Sequence, residues 1–171
     1  EDQLPHIELT REIGRRFNHL YKNEFFHNTE ALLTETPRLL GLDGRKMSKS
    51  YQNAVNLSDS PEDIKTKIKS MFTDPKRIRL SDPGHPSECN VFSYYSVFAP
   101  EKKEDVYQWC TKAQKGCTEC KMIFAEALIK HLAPIQQKRK EFEGNKDRVQ
   151  EILKDGQTRA QRIARETLKE V

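Results

Sequence analysis

Between Arg79 and Glu88 the chain carries Asp82-Pro83-Gly84-His85-Pro86, and no regular element can pass through that string. Each proline lacks the N–H that a helix interior or a central strand must donate, and each holds φ near −65°. The glycine between them turns without steric cost. The chain is therefore built in two parts, and their patterning differs. Upstream, one helical stretch gives way to a glycine-bounded loop and a second short helix; downstream, the remainder reads as helix. The expected division is 1–78 and 79–171.

Upstream, Pro5 suits a first helical turn, and Ile7, Ile13, Phe17 and Leu20 recur at helical spacing up to residue 21. The period is lost from Asn23 to Thr36. Pro37-Arg38-Leu39-Leu40 makes a short apolar step, expected as a strand. Ser60-Pro61-Glu62-Asp63 is a strong helix start, with Ser60 as the cap and acids in the first turn. That helix is expected to turn Ile64, Ile68, Met71 and Phe72 inward. Downstream, Cys89, Phe92, Tyr95 and Phe98 share a face. Val106 and Trp109 belong to a second helix. A third runs from about Thr118 past Pro134, and a fourth follows Asn145.

Composition narrows the classes. Hydrophobic residues make up 35% and charged residues 33% of 171 positions, so the core is lean and the solvated surface large. No apolar run approaches the roughly 18 residues that cross a bilayer, and the first thirty residues carry no secretory pattern. A membrane partner is not expected, and the cytoplasm is. The chain opens on Glu1-Asp2-Gln3 without an initiator Met, so it is expected to be a piece of a longer protein.

The cysteines are Cys89, Cys110, Cys117 and Cys120. Without a signal peptide, reduced thiols are expected rather than disulfides. Cys117-Thr118-Glu119-Cys120 follows Gly116, a pairing that lets two thiolates converge on one metal. With Cys89 and Cys110 a four-thiolate site follows, and both zinc and an iron–sulfur cluster accept that set. Small core residues on helices are the other reading of Cys89 and Cys110.

Lys46-Met47-Ser48-Lys49-Ser50 lies in the glycine-bounded loop. Two ammonium groups joined by small hydroxyl residues can close over a polyphosphate, and lysine, a compact point charge, can follow a migrating negative charge. A solvated basic loop is the simpler alternative for a bare Lys-x-x-Lys. Toward the C-terminus Arg159, Arg162, Arg165 and Lys169 recur every three or four residues, a stripe that can track phosphates or merely face water.

The five-residue string, read together with Glu1-Asp2-Gln3, His6, Glu8-Leu9-Thr10-Arg11, Lys65-Thr66-Lys67-Ile68-Lys69-Ser70, Thr73-Asp74, Asn90-Val91-Phe92 and Asp155-Gly156, resembles the C-terminal half of the tryptophanyl-tRNA synthetases. These are class I aminoacyl-tRNA synthetases, and the tyrosyl enzymes are the near neighbour. The resemblance spans nearly the whole chain. It implies a mostly α fold: the end of a Rossmann-like class I catalytic domain followed by an α-helical anticodon-binding bundle. It also implies activation of tryptophan with ATP and Mg2+ and charging of tRNA(Trp), by a parent protein that is a homodimer.

Carried onto this sequence, the resemblance assigns ATP contacts to Asp2, Gln3, Leu39, Lys46, Met47, Ser48 and Lys49, with Lys46 and Lys49 catalytic. It assigns Cys89, Cys110, Cys117 and Cys120 to the 4Fe–4S site of some bacterial members, although the first spacer is about two residues short, which keeps zinc open. Arg159, Arg162, Arg165 and Lys169 become candidates for tRNA contact. No His-x-Gly-His string occurs, since His6, His19, His27, His85 and His131 are isolated. The first nucleotide-binding half is therefore expected upstream of residue 1. A non-catalytic, metal-bound RNA-binding module is the reading from another class.

Overall fold

The computed structural model describes residues 3–34 and 39–171, and the described chain is predominantly helical. Helix α1 spans Leu4–Tyr21, with Pro5 in its first turn, and ends at Lys22 in the left-handed region (φ 52°). The segment after it folds back onto the helix. Asn18 brackets Phe26 from both sides: its Nδ2 donates to the Phe26 carbonyl at 2.8 Å and its Oδ1 accepts the Phe26 N–H at 3.0 Å. The Phe26 ring then meets Phe17 edge-on at 4.9 Å.

Helix α2 spans Pro61–Ser70 and opens with a reciprocal capping box. Asp63 N–H donates to Ser60 Oγ at 3.1 Å, and Ser60 N–H donates to Asp63 at 3.3 Å. After the proline-rich turn come α3 (Asn90–Phe98), α4 (Lys103–Thr111), α5 (Cys117–Glu143) and α6 (Lys146–Glu170). Pro134 lies inside α5, and Asn145 caps α6 through Arg148 N–H at 3.0 Å. No helix among the described residues is long and apolar enough to cross a membrane.

The core joins Ile64, Ile68 and Met71 with Val91, Tyr94 and Tyr95 of α3, Val106 of α4, and Phe124 and Leu128 of α5. Tyr95, Phe124 and Ile64 are fully buried, each worth about 1.5–3 kcal/mol relative to exposure. This core crosses residue 78. By compactness the chain forms a unit of Glu1–Arg38 with Phe142–Val171 and a unit of Leu39–Glu141. The proline-rich string does form the expected turn, but that turn is stitched into the second unit: Gly84 is buried and its N–H donates to the Cys110 carbonyl at 2.9 Å.

Two local expectations need correction. Phe72 is 43% exposed rather than turned into the core, because α2 ends at Ser70 and leaves it beside Gly44. The strand expected at Pro37–Leu40 falls partly outside the described residues, and the part described makes a single antiparallel bridge, Leu40 to Lys46.

Candidate functional site

The loop that carries Lys46 to Ser50 is built on a narrow base. Leu40 bridges to Lys46, Gly41 N–H donates to the Arg45 carbonyl at 2.7 Å, and Gly44 turns the chain at φ +78°. Asp43 closes the turn on Arg45, accepting its backbone N–H at 3.0 Å and its Nε at 2.8 Å. The Arg45 guanidinium also lies over the Tyr51 ring at 4.6 Å. The Asn53 amide, followed by the Arg45 groups, outweighs desolvation and lowers the Asp43 carboxyl to about 2. Beyond Ser48 the chain makes one 3-10 turn, Lys49–Tyr51, with Ser48 and Ser50 hydroxyls 2.8 Å apart.

Lys46, Met47 and Lys49 are exposed. Met47, Ser48 and Lys49 line an open cavity of about 580 Å³ with Gln52, Ala54, Asn56 and Lys67. Lys67 is held there by Asp59 and by the Ala54 carbonyl at 3.2 Å. A polyphosphate entering this cavity would meet the signature lysine Lys49 on one wall and the anchored Lys67 on another. Leu39 stands half-buried at the foot of the loop.

Gln3 precedes α1, where its carbonyl accepts the His6 and Ile7 N–H groups, and it belongs to the first unit. Asp2 lies outside the described residues. Asn53 was not among the residues singled out from the sequence, yet it makes four of the hydrogen bonds that shape the loop. Its place just after a turn was the one signal available.

The four cysteines stand at helix ends: Cys89 before α3, Cys110 in the last turn of α4, and Cys117 and Cys120 in the first turn of α5. All four line one narrow cavity of about 20 Å³, with Val91, Phe92, Val106 and Trp109 as its apolar wall. Burial raises the thiols of Cys89 and Cys110 and pushes Cys120 up to about 12. Arg77 reaches Cys117 Sγ at 4.0 Å, and its other nitrogen is fixed on the Leu80 carbonyl at 2.9 Å. A Cβ at Gly84 would fall 2.3 Å from Cys110 Sγ, so only glycine lets that sulfur approach.

The donor chemistry suits a thiolate-bound metal, but the expected preformed site is not present in this geometry. Among the described residues no three His, Cys, Asp or Glu side chains are arranged to hold a metal ion. The space enclosed fits little more than one water.

The basic stripe lies on α6, which buries no residue. Arg159 pairs with Asp155 at 3.0 Å and Arg162 with Glu166 at 3.3 Å, so half of its cations are already engaged within the helix.

Residues 1–133 match the model of the class I tRNA synthetases of the W and Y type. The tryptophan–tRNA ligase of Aquifex aeolicus is 46% identical over all of this chain and 44% of its own length, and that of Thermotoga maritima 43% identical over all of the chain and 52% of its own. A crystal structure of tryptophanyl-tRNA synthetase from Campylobacter jejuni with ADP and tryptophan superposes with a TM-score of 0.78 at 30% identity, over 99% of this chain and 53% of that one. The tyrosyl enzyme of Aeropyrum pernix, at 21% identity and a TM-score of 0.53, shares the fold. The chain spans about half the length of the curated relatives it matches. With its lysine loop held over an open cavity and its family match covering residues 1–133, the chain belongs to the class I tRNA synthetases of the tryptophan and tyrosine type.

Proposed function

We propose that this chain is the C-terminal half of a tryptophan–tRNA ligase and supplies the lysine loop that handles the phosphates of ATP during tryptophan activation. The observation that carries the reading is the loop itself: Lys49 opens onto a cavity of about 580 Å³ while the backbone beneath it is tied down. ATP with Mg2+, tryptophan and tRNA(Trp) are the partners of the whole protein, which acts as a homodimer in the cytoplasm. In that protein 1–78 completes the catalytic domain and 79–171 serves anticodon binding, with Arg159, Arg162, Arg165 and Lys169 toward the tRNA. Asp2, Gln3 and Leu39 contribute to holding the adenosine end of ATP.

The chemistry asks the loop for a specific service. When a carboxylate attacks the α-phosphate, negative charge builds on the departing pyrophosphate. Ammonium groups from Lys46 and Lys49 can neutralise it most strongly at the transition state, which is where binding raises rate. Removing one such donor costs about 10²–10³ in kcat by comparison with other transition-state donors. In the full-length protein, Lys49→Ala is therefore expected to lower tryptophan-dependent ATP–pyrophosphate exchange by about that factor while tryptophan affinity stays near its original value. Exchange at the unaltered rate would refute the phosphate role, and exchange driven by tyrosine instead would move the protein to the neighbouring branch.

We further propose that Cys89, Cys110, Cys117 and Cys120 hold a 4Fe–4S cluster, with zinc as the alternative. Support comes from the four thiols lining one apolar cavity with Arg77 beside Cys117. A cluster would tie the ends of three helices together, a structural service that requires no electron transfer.

A further inference from the structure

Asn53 is 4% exposed, and every polar atom of its side chain is turned to the lysine loop. Its Oδ1 accepts the Ser48 N–H at 2.9 Å. Its Nδ2 donates to Asp43 Oδ1 at 2.8 Å and to the Lys46 carbonyl at 3.2 Å. Its backbone carbonyl accepts the Leu42 N–H at 2.7 Å. One residue thus bonds both arms of the loop and the turn between them.

The surroundings are cut to fit this amide. A Cβ at Gly41 would fall 2.2 Å from Asn53 Nδ2 and 2.5 Å from its Cγ, so the side chain occupies the space that any other residue at 41 would fill. The base below it is anchored from outside the loop. Asn90, 5% exposed, donates to the Gly41 carbonyl at 2.7 Å; Tyr94 donates to the Leu40 carbonyl; Phe72 N–H donates to the Leu42 carbonyl at 2.6 Å. The lysine side chains are exposed, and the short backbone that carries them is the part that Asn53 grips.

Few residues could take its place. The site needs one acceptor facing an N–H and one donor facing a carboxylate and a carbonyl, at the reach of a single methylene. An aspartate would set its second oxygen against Asp43 and the Lys46 carbonyl; an alanine would take their side-chain partner from the Ser48 N–H and the Lys46 carbonyl and remove one bond of Asp43.

We propose that Asn53 is a positioning residue of the lysine loop: its amide sets the resting position of the backbone from Lys46 to Ser48, and through it the starting position of the two ammonium groups. That those groups act on phosphates rests on the function proposed above; that the amide positions the loop does not.

The test uses the chain as it stands. Brief trypsin digestion reports the loop at Lys46 and Lys49 and reports the rest of the molecule at Arg159 and Arg162, with far-UV melting as the control for folding. For Asn53→Asp, cleavage in the loop is expected to rise about tenfold or more while cleavage in α6 and the melt change little. Adding Asp43→Asn returns a donor opposite the new carboxylate, so the double variant is expected to be cut more slowly than Asn53→Asp alone. Equal loop cleavage in native and variant chains would overturn the proposal. A uniform rise at loop and α6, with a lowered melt and no recovery in the double variant, would also overturn it, because Asn53 would then only support the fold. Run on the full-length protein, Asn53→Asp is expected to lower kcat for ATP–pyrophosphate exchange with tryptophan affinity unchanged. A loop that loosens without any loss of exchange would leave the clasp standing and remove the phosphate role.

Discussion

At the level of single residues, the lysine string declared itself and the amide that holds it did not. Lys46, Ser48 and Lys49 form a dense pattern of cations and hydroxyl around Met47, whereas Asn53 is one polar residue among several after a turn. Its importance depends on Gly41 and Asp43, twelve and ten positions earlier, coming to meet it, and only folding creates that meeting. The carboxyl of Asp43 records the result. Its pKa is lowered to about 2, chiefly by the Asn53 amide, from an ordinary 3.8. A carboxylate depressed in the folded state contributes stability that is present above its unfolded value and lost as pH falls through the folded one. Hydrogen exchange over 41–53 should therefore stay slow down to about pH 4 and quicken between there and about pH 2. Asp43→Asn should remove that step; a step of unchanged size in the variant would assign it to other carboxylates, of which Asp59 and Asp74 are also lowered.

Among the elements, legibility followed local chemistry. The Ser60 cap, the Asn145 cap and the proline-bearing first turns of α1 and α2 are decided by neighbours in the chain, and all were readable. Phe72 was misread because periodicity continues past the last helical residue, while the backbone leaves the helix at Met71. The cysteine spacing showed that thiols could converge but not how closely. That distance depends on packing among α3, α4 and α5 and on the single missing Cβ of Gly84. Since the thiols sit at the ends of those helices, whatever binds them stabilises the folded form by mass action, about 2.7 kcal/mol at a hundredfold excess over Kd. Protein reconstituted anaerobically with ferrous iron and sulfide is expected to turn brown, to contain both elements in stoichiometric amount, and to melt higher than the metal-free chain. Cys117→Ser should lose the colour. Stoichiometric zinc without sulfide would favour the alternative, and unaltered melting with no metal retained would remove the site.

For the whole molecule, magnitudes decide how much of the proposed reaction this chain can perform. One lysine donor of the kind seen in the loop is worth about 3–4 kcal/mol at the transition state. Holding a carboxylate against an α-phosphate in the correct geometry is worth about 7–11 kcal/mol, and it requires sites for the adenosine and for the amino acid. On the proposed reading, the first service would come from Lys49. For the second, the five histidines are isolated, so the His-x-Gly-His string on which class I nucleotide binding would rest is missing from residues 1–171. Its relatives are about twice as long, which leaves room for both sites in the portion of their length that this chain does not span. The two services multiply rather than add as rates, so a molecule with the lysine loop alone forfeits the larger factor. The chain by itself is therefore expected to show no tryptophan-dependent ATP–pyrophosphate exchange above background, while the full-length protein shows it and loses it on Lys49→Ala. Exchange by the chain alone at a rate comparable to the full-length protein would mean that residues 1–171 hold a complete activation site, and the division of labour proposed for its loop would have to be abandoned.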